Sequence, residues 1–71
     1  MSSVHPNNIK KLRKERGLTQ QALGQKFKSP KDITIISRWE RGVVKPSANS
    51  LIELCEILQV KKPNDIFFES N

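Results

Sequence analysis

Residues 34–46, TIISRWERGVVKP, contain the end of a helix and the loop that follows it. Basic residues favour a helix C-terminus, and glycine readily takes the left-handed conformation just beyond one, so Arg41 and Gly42 mark this end. Ile36 and Trp39 are three positions apart and therefore indicate the buried side of the helix. The stretch predicts an amphipathic helix that ends immediately before Gly42.

The start of this helix is indicated by the sequence SPKD at residues 29–32. Ser29 can act as the N-cap, proline is favoured at the first helical position, and an acidic residue three positions after the cap completes a capping pattern. We therefore predict a third helix over Pro30–Arg41. An alternative start has Asp32 itself as the cap.

Two helices are predicted before it. The first is capped by Asn7 or Asn8 and ends at Gly17, which can adopt the left-handed conformation. Thr19 then caps a second helix, roughly Gln20–Lys28. The short connection at Gly17 requires these two helices to turn sharply against each other.

A fourth helix starts after Ser47, and its apolar residues recur at three- and four-residue intervals, at Leu51, Leu54, Cys55 and Leu58. A short fifth helix or turn is predicted around Asn64–Phe68. The expected fold is all-α, with five short helices around one core. We expect residues 1–6 to form a flexible tail and residues 7–71 to form a single domain.

The composition limits the class of protein. The chain has 71 residues and a net charge of +6, which is unevenly distributed. Residues 1–45 hold eleven basic and three acidic side chains, whereas residues 46–71 hold two basic and four acidic ones. A basic front half suggests a surface that faces a polyanion. One cysteine and one histidine exclude an internal disulfide and a Cys/His zinc site, and no apolar run is long enough to span a membrane.

Four stretches occur in an order that resembles a known family. They are IKKLRKERGLTQQAL (residues 9–23), ISRWERG (36–42), KPSANSLIELCEIL (45–58) and, more loosely, PNDIF (63–67). The series resembles the phage repressor and Cro family of helix-turn-helix proteins, also called XRE-like. The resemblance implies a lambda-repressor-like DNA-binding domain in which helices two and three form the helix-turn-helix. The sequence shows no nucleophile–base pair and no paired carboxylates, so we expect a regulator without catalytic residues, cofactor or metal.

The resemblance implies that helix two lies across the DNA backbone and helix three enters the major groove of an operator. Gln20 matches the family's backbone-clamping glutamine. Arg13 and Glu40 match a pair that bridges helices one and three, for which the alternative is a weak surface salt bridge. The expected DNA-binding residues are Thr19, Gln20, Gln21, Lys31, Thr34, Ser37, Arg38, Arg41 and Lys45.

The chain departs from the family pattern between Thr19 and Trp39, where it is two residues longer than usual. Counting back from Glu40, the family's base-reading positions fall on Ile33, Thr34 and Arg38. Base edges present hydrogen-bond donors and acceptors, and an isoleucine can contact only thymine methyl groups.

Three interpretations of the isoleucines remain open. Ile33 or Ile35 is tucked into the core, or both read methyl groups in an AT-rich operator while Arg38 reads a guanine. In the third interpretation, Ile33, Ile35, Val43 and Val44 form an exposed patch that docks on another protein.

The sequence therefore predicts a sequence-specific DNA-binding regulator from a bacterium or phage, acting in the cytoplasm at the nucleoid and fitting a lysis–lysogeny switch. The alternative is an antirepressor that keeps the fold and binds a second repressor protein. A homodimer on DNA is expected, with Ile66, Phe67 and Phe68 as the contact. Equally, Ile66 and Phe67 can close the core and leave only Phe68 exposed.

Overall fold

The structure is a computed structural model that describes residues 6–62 and residue 66. The described residues form four α-helices and thereby confirm the all-α prediction. The predicted fifth helix and the N-terminal tail fall outside the described residues, apart from Pro6 and Ile66. The helices are α1 (Ile9–Glu15), α2 (Gln20–Gln25), α3 (Ile33–Glu40) and α4 (Ala48–Leu58).

Hydroxyl side chains cap α2 and α4 as the sequence predicts. The Thr19 Oγ1 accepts a hydrogen bond from the backbone N–H of Ala22 at 3.0 Å. The Ser47 Oγ accepts from the N–H of Ser50 at 3.3 Å. Each hydroxyl satisfies one of the N–H groups that have no partner inside a helix, so these starts are fixed by local sequence.

Glycines end α1 and α3. Gly17 and Gly42 have φ angles of 69° and 73°, in the left-handed region. After α3, the N–H of Val43 donates to the carbonyl of Arg38 at 3.0 Å, which is the six-to-one hydrogen bond of a Schellman motif. The predicted end of α3 before Gly42 is therefore confirmed.

The core lies where the apolar sides of the helices meet. Phe27 and Trp39 lie at its edge, with ring centroids 5.7 Å apart and planes tilted by 59°. The N–H of Asn8 donates to the carbonyl of Ile66 at 2.7 Å, and this bond holds Ile66 beside the start of α1. The fully or nearly fully buried apolar residues are Ile9, Leu23, Phe27, Ile36, Trp39, Leu54, Leu58 and Ile66.

The predicted start of the third helix at Pro30 with Ser29 as cap is wrong. The helix begins at Ile33, and Asp32 is the N-cap, as in the alternative start. The Asp32 carboxylate accepts from the N–H of Thr34 at 3.5 Å, a long contact. The helix is consequently shorter than the capping pattern of residues 29–32 suggests.

The predicted end of the second helix at Lys28 is also wrong, because α2 ends at Gln25. The reason lies in tertiary contacts. The N–H of Lys31 donates to the carbonyl of Gly24 at 2.9 Å, and the N–H of Lys28 donates to the Glu53 carboxylate at 2.8 Å. These bonds hold residues 28–31 against α2 and α4. The longer connection between α2 and α3 is accommodated in this way.

Candidate nucleic-acid interface

One side of α3 carries polar and basic side chains that face away from the core. Successive residues of an α-helix are rotated by about 100°, so the side opposite the buried Ile36 and Trp39 can be derived from their positions. Three of the four residues there are exposed, and Ser37 is half-buried. We call this set the α3 stripe, and it comprises Thr34, Ser37, Arg38 and Arg41.

A buried ion pair holds α3 against α1. The Arg13 Nε lies 2.5 Å from the Glu40 Oε2, and the two side chains are only 8% and 4% exposed. The Arg13 Nη1 also donates to the carbonyl of Leu18 at 2.7 Å. The alternative interpretation as a surface salt bridge is therefore wrong, because both charges are removed from solvent and depend on each other.

The same carboxylate also holds the start of α2. The Gln20 Nε2 donates to the Glu40 Oε1 at 3.1 Å, and the Arg13 Nη2 donates to that oxygen at 3.3 Å. Glu40 therefore joins α1, α2 and α3 at one point. The orientation of α3 relative to the first residue of α2 is set by this network rather than by the turn alone.

A further hydrogen bond fixes the C-terminal end of α3. The Asn7 Nδ2 donates to the carbonyl of Trp39 at 2.8 Å, while the Asn7 Oδ1 accepts from the N–H of Ile9 at 3.0 Å. Of the two predicted caps, Asn8 stands at the N-cap position but makes no side-chain capping hydrogen bond, and the Asn7 side chain binds the first N–H of the helix instead. Its amide connects the start of α1 to the end of α3.

The residues predicted from α2 lie at its start. Thr19 uses its hydroxyl to cap the helix, Gln20 is half-buried in the Glu40 network, and Gln21 is exposed. At the N-terminus of α2, the Gln21 side chain is therefore exposed, whereas the Gln20 amide is held by its hydrogen bond to Glu40.

The predicted basic residues outside α3 lie in the connections on either side of it. Lys31 is half-buried, and its Nζ lies 5.9 Å from the centre of the Phe27 ring, within range of a cation–π interaction. Lys45, in the connection to α4, is exposed. Together with Arg38 and Arg41 they place positive charge before, along and after α3.

The interpretation that buries Ile33 or Ile35 in the core is wrong. Ile33 is 46% exposed and Ile35 is 38% exposed, whereas the neighbouring Ile36 is fully buried. Helical rotation places Ile33 and Ile35 on opposite flanks of the α3 stripe. The longer connection therefore leaves both side chains at the surface.

Val43 and Val44 are also exposed, at 56% and 43%. They follow the C-terminus of α3, whereas Ile33 begins it. The 8 residues of α3 span about 12 Å. The four apolar side chains are consequently distributed around both ends of α3 and on two of its flanks.

The predicted dimer contact is only partly described. Ile66 is fully buried within the chain, where it joins the core, so it is not available as a contact. Phe67 and Phe68 lie outside the described residues.

Sequence reasoning missed the role of Gly24. A Cβ at this position would overlap the backbone carbonyl of Lys31, so the close approach of the connection requires glycine. The only available signal was a glycine inside a helical pattern, which often indicates close packing. The contact of Gln20 with Glu40 was also missed, since no local pattern links residues twenty positions apart.

Two negative findings apply to the described part of the chain. It contains no group of three or more His, Cys, Asp or Glu side chains arranged to hold a metal ion. None of its helices has the length and apolar character needed to cross a bilayer.

A family model described as helix-turn-helix matches residues 9–63. The match covers all four helices, including the α2–α3 pair and the Glu40 network. No curated protein matches the chain.

Proposed function

Because the chain belongs to the XRE-type family of helix-turn-helix DNA-binding transcription regulators, we propose that it recognises one operator sequence through the α3 stripe. The observation that carries this proposal is the outward direction of the stripe on a helix that Glu40 locks to α2. In a helix-turn-helix, such a helix lies in the major groove.

The proposed contacts are of two kinds, those to base edges and those to the DNA backbone. Arg38 and Thr34 reach base edges, and a guanidinium group can bind guanine through two hydrogen bonds. Gln20, Gln21 and Thr19 at the start of α2 contact the DNA backbone, where helix N–H groups attract phosphate. Further phosphate contacts come from Ser37 and from three basic residues, namely Lys31, Arg41 and Lys45.

The uneven charge supports this orientation. In the residues that surround α3, exposed lysines and arginines outnumber carboxylates, and Glu40 is buried in its ion pair. The acidic side chains Glu53 and Glu56 are carried by α4 instead. Phosphate contacts supply affinity without sequence information, so Lys31, Arg41 and Lys45 set the strength of binding, and Thr34 and Arg38 of the α3 stripe set the choice of sequence.

The test is selection of a preferred site from random duplexes, followed by titration at about 50 and 200 mM salt. We expect one preferred sequence and a fall in affinity of several powers of ten for six or more phosphate contacts. Equal affinity for the selected site and a scrambled duplex at both salt concentrations would refute sequence-specific regulation.

We further propose a homodimer on a two-fold operator, with half-sites about 34 Å apart. Sedimentation of the chain with duplexes that carry one or two half-sites tests this. A 1:1 complex on the two-site duplex contradicts it.

By analogy with the Cro-like proteins that the motifs resemble, we place the regulator in the bacterial cytoplasm at the nucleoid, as part of a phage lysis–lysogeny switch. The test is the neighbouring gene: a divergently transcribed second repressor gene would support that placement, and its absence would favour a stand-alone regulator.

A second candidate function is favoured by the exposure of Ile33, Ile35, Val43 and Val44. In this alternative the chain is an antirepressor that binds a second repressor protein through these side chains. It predicts weak, sequence-independent DNA binding together with a stable complex with a co-encoded repressor. The variants Ile33→Asp and Ile35→Asp then abolish the complex, whereas a DNA-reading regulator forms no such complex.

A further inference from the structure

An exposed isoleucine flanks the α3 stripe at the start of the helix. Ile33 is the first residue of the helix and is 46% exposed. Ser37 of the α3 stripe lies one turn further along the same row, and Glu40 lies two turns along. Covering this aliphatic surface on binding is favourable where the partner group is also apolar.

The Glu40 network shows which way this row faces. Because Glu40 accepts a hydrogen bond from Gln20, the row from Ile33 to Glu40 lies on the side of α3 that meets the start of α2. Ile35 lies on the opposite flank, in the row that leads to the buried Trp39. Ile33 therefore lies on the side of α3 that faces α2, and Ile35 lies on the opposite flank.

The cap of α3 makes phosphate an unsuitable neighbour for the first turn. Asp32 carries a carboxylate at this end and directs it to the N–H of Thr34. The Asp32 carboxylate repels a phosphate placed there, whereas it does not repel the uncharged edges of the bases in this way. The first turn of α3 is therefore better suited to face the base edges at the floor of the major groove than to face the phosphate backbone.

The only apolar group on that floor is the C5-methyl of thymine. Resting on the proposed function, we infer that Ile33 is a specificity-determining residue that packs against a thymine methyl group in each half-site. The flanking Thr34 and Arg38 supply the hydrogen bonds to neighbouring bases. The operator then contains a thymine whose methyl group, rather than its hydrogen-bonding edge, is recognised.

The test removes the methyl group without changing base pairing. The selected operator is synthesised with each thymine replaced in turn by deoxyuridine, and the dissociation constant is measured by titration. We expect a loss of about fourfold per half-site at one thymine, the value for one buried methylene-sized group. The variant Ile33→Ala is expected to lose a similar factor on the thymine operator and to be insensitive to deoxyuridine at that position.

Ile35→Ala is the matched control, since it removes the same atoms from the same turn of α3. It is expected to retain the full sensitivity to deoxyuridine. Circular dichroism and urea unfolding of both variants check the fold. The deoxyuridine series on the unsubstituted protein tests methyl recognition even where a variant is unstable.

The outcomes separate this inference from the proposed function. A preferred, salt-sensitive operator that tolerates deoxyuridine at every thymine overturns the role of Ile33 and leaves the regulator intact. Undiminished sensitivity to deoxyuridine in Ile33→Ala assigns methyl recognition to another residue and also overturns it. Absence of any preferred sequence overturns both proposals together.

Discussion

The carbonyl oxygen of Lys31 lies against the Cα of Gly24, which leaves no space for a side chain at that position of α2. The N–H of Lys31 also donates to the carbonyl of Gly24 at 2.9 Å. Both the N–H and the carbonyl of Lys31 therefore contact the backbone of Gly24. This contact sets the path of the connection that leads into α3. The orientation of the proposed reading helix therefore depends on a residue that cannot itself contact DNA.

Gly24→Ala is expected to destabilise the protein. In an exposed helix the change stabilises by about 1 kcal/mol, but here the new Cβ overlaps backbone, and overpacking costs about 1–3 kcal/mol. Urea unfolding followed by circular dichroism measures the difference. Gln25→Ala, at the exposed neighbouring position, is the control and should change stability by less than about 0.5 kcal/mol. A more stable Gly24→Ala protein would show that the connection does not need this contact.

Glu40→Ala is expected to be among the most damaging single substitutions. It leaves the Arg13 charge buried without its partner, which typically costs about 3–5 kcal/mol. The control is Glu15→Ala, whose carboxylate is 3.8 Å from Arg16 and half exposed, with an expected loss of about 0–1 kcal/mol.

The double variant Arg13→Met with Glu40→Leu distinguishes the effect of a lone charge from that of lost packing. It removes both charges and retains apolar bulk, so it should be more stable than Glu40→Ala. Urea unfolding of Arg13→Met, Glu40→Leu and the double variant, each compared with the unsubstituted protein, gives the coupling energy. A loss in the double variant equal to the sum of the two single losses would contradict a dependence of each charge on the other.

Gln59→Gly is expected to stabilise the protein by about 0.5–1 kcal/mol, since a non-glycine residue is strained in the left-handed conformation. Gln59 has φ 60° and ψ 44° at the end of α4, where the N–H of Val60 donates to the carbonyl of Cys55 at 3.0 Å. Thermal and urea unfolding measure the gain. Glu56→Gly, in the exposed interior of the same helix, should have the opposite sign.

Arg38→Ala is expected to relax sequence choice at one operator base pair, at a cost of about 1–3 kcal/mol in binding. Gln20→Ala should instead weaken all duplexes alike, because its proposed partner is phosphate. Parallel selection experiments with the two variants measure both effects. An unchanged operator preference in Arg38→Ala would remove Arg38 from the base-reading role.

Several features of the fold follow from the sequence because their causes are local. The hydroxyl of Thr19 and the glycine at position 42 act within one turn of their helix, so the start of α2 and the end of α3 could be placed correctly. The apolar spacing in α4 likewise predicted the buried Leu54 and Leu58. The family resemblance depends on these same local patterns, and the family match agrees with it.

The features that the sequence left open involve residues distant along the chain. The start of α3 at Ile33 rather than Pro30 depends on bonds from Lys31 to Gly24 and from Lys28 to Glu53. No local pattern distinguishes Ser29 from Asp32 as the cap, because both satisfy the same chemistry.

The sequence by itself determined that the chain forms short amphipathic helices and carries its positive charge around the third, since capping, periodicity and composition act over a few residues. Tertiary structure alone decided that Ile33 and Ile35 are exposed and that Arg13 and Glu40 are buried. The physical reason is that burial depends on where neighbouring helices come to rest. Here the contact at Gly24 and the hydrogen bonds to Glu40 set those positions.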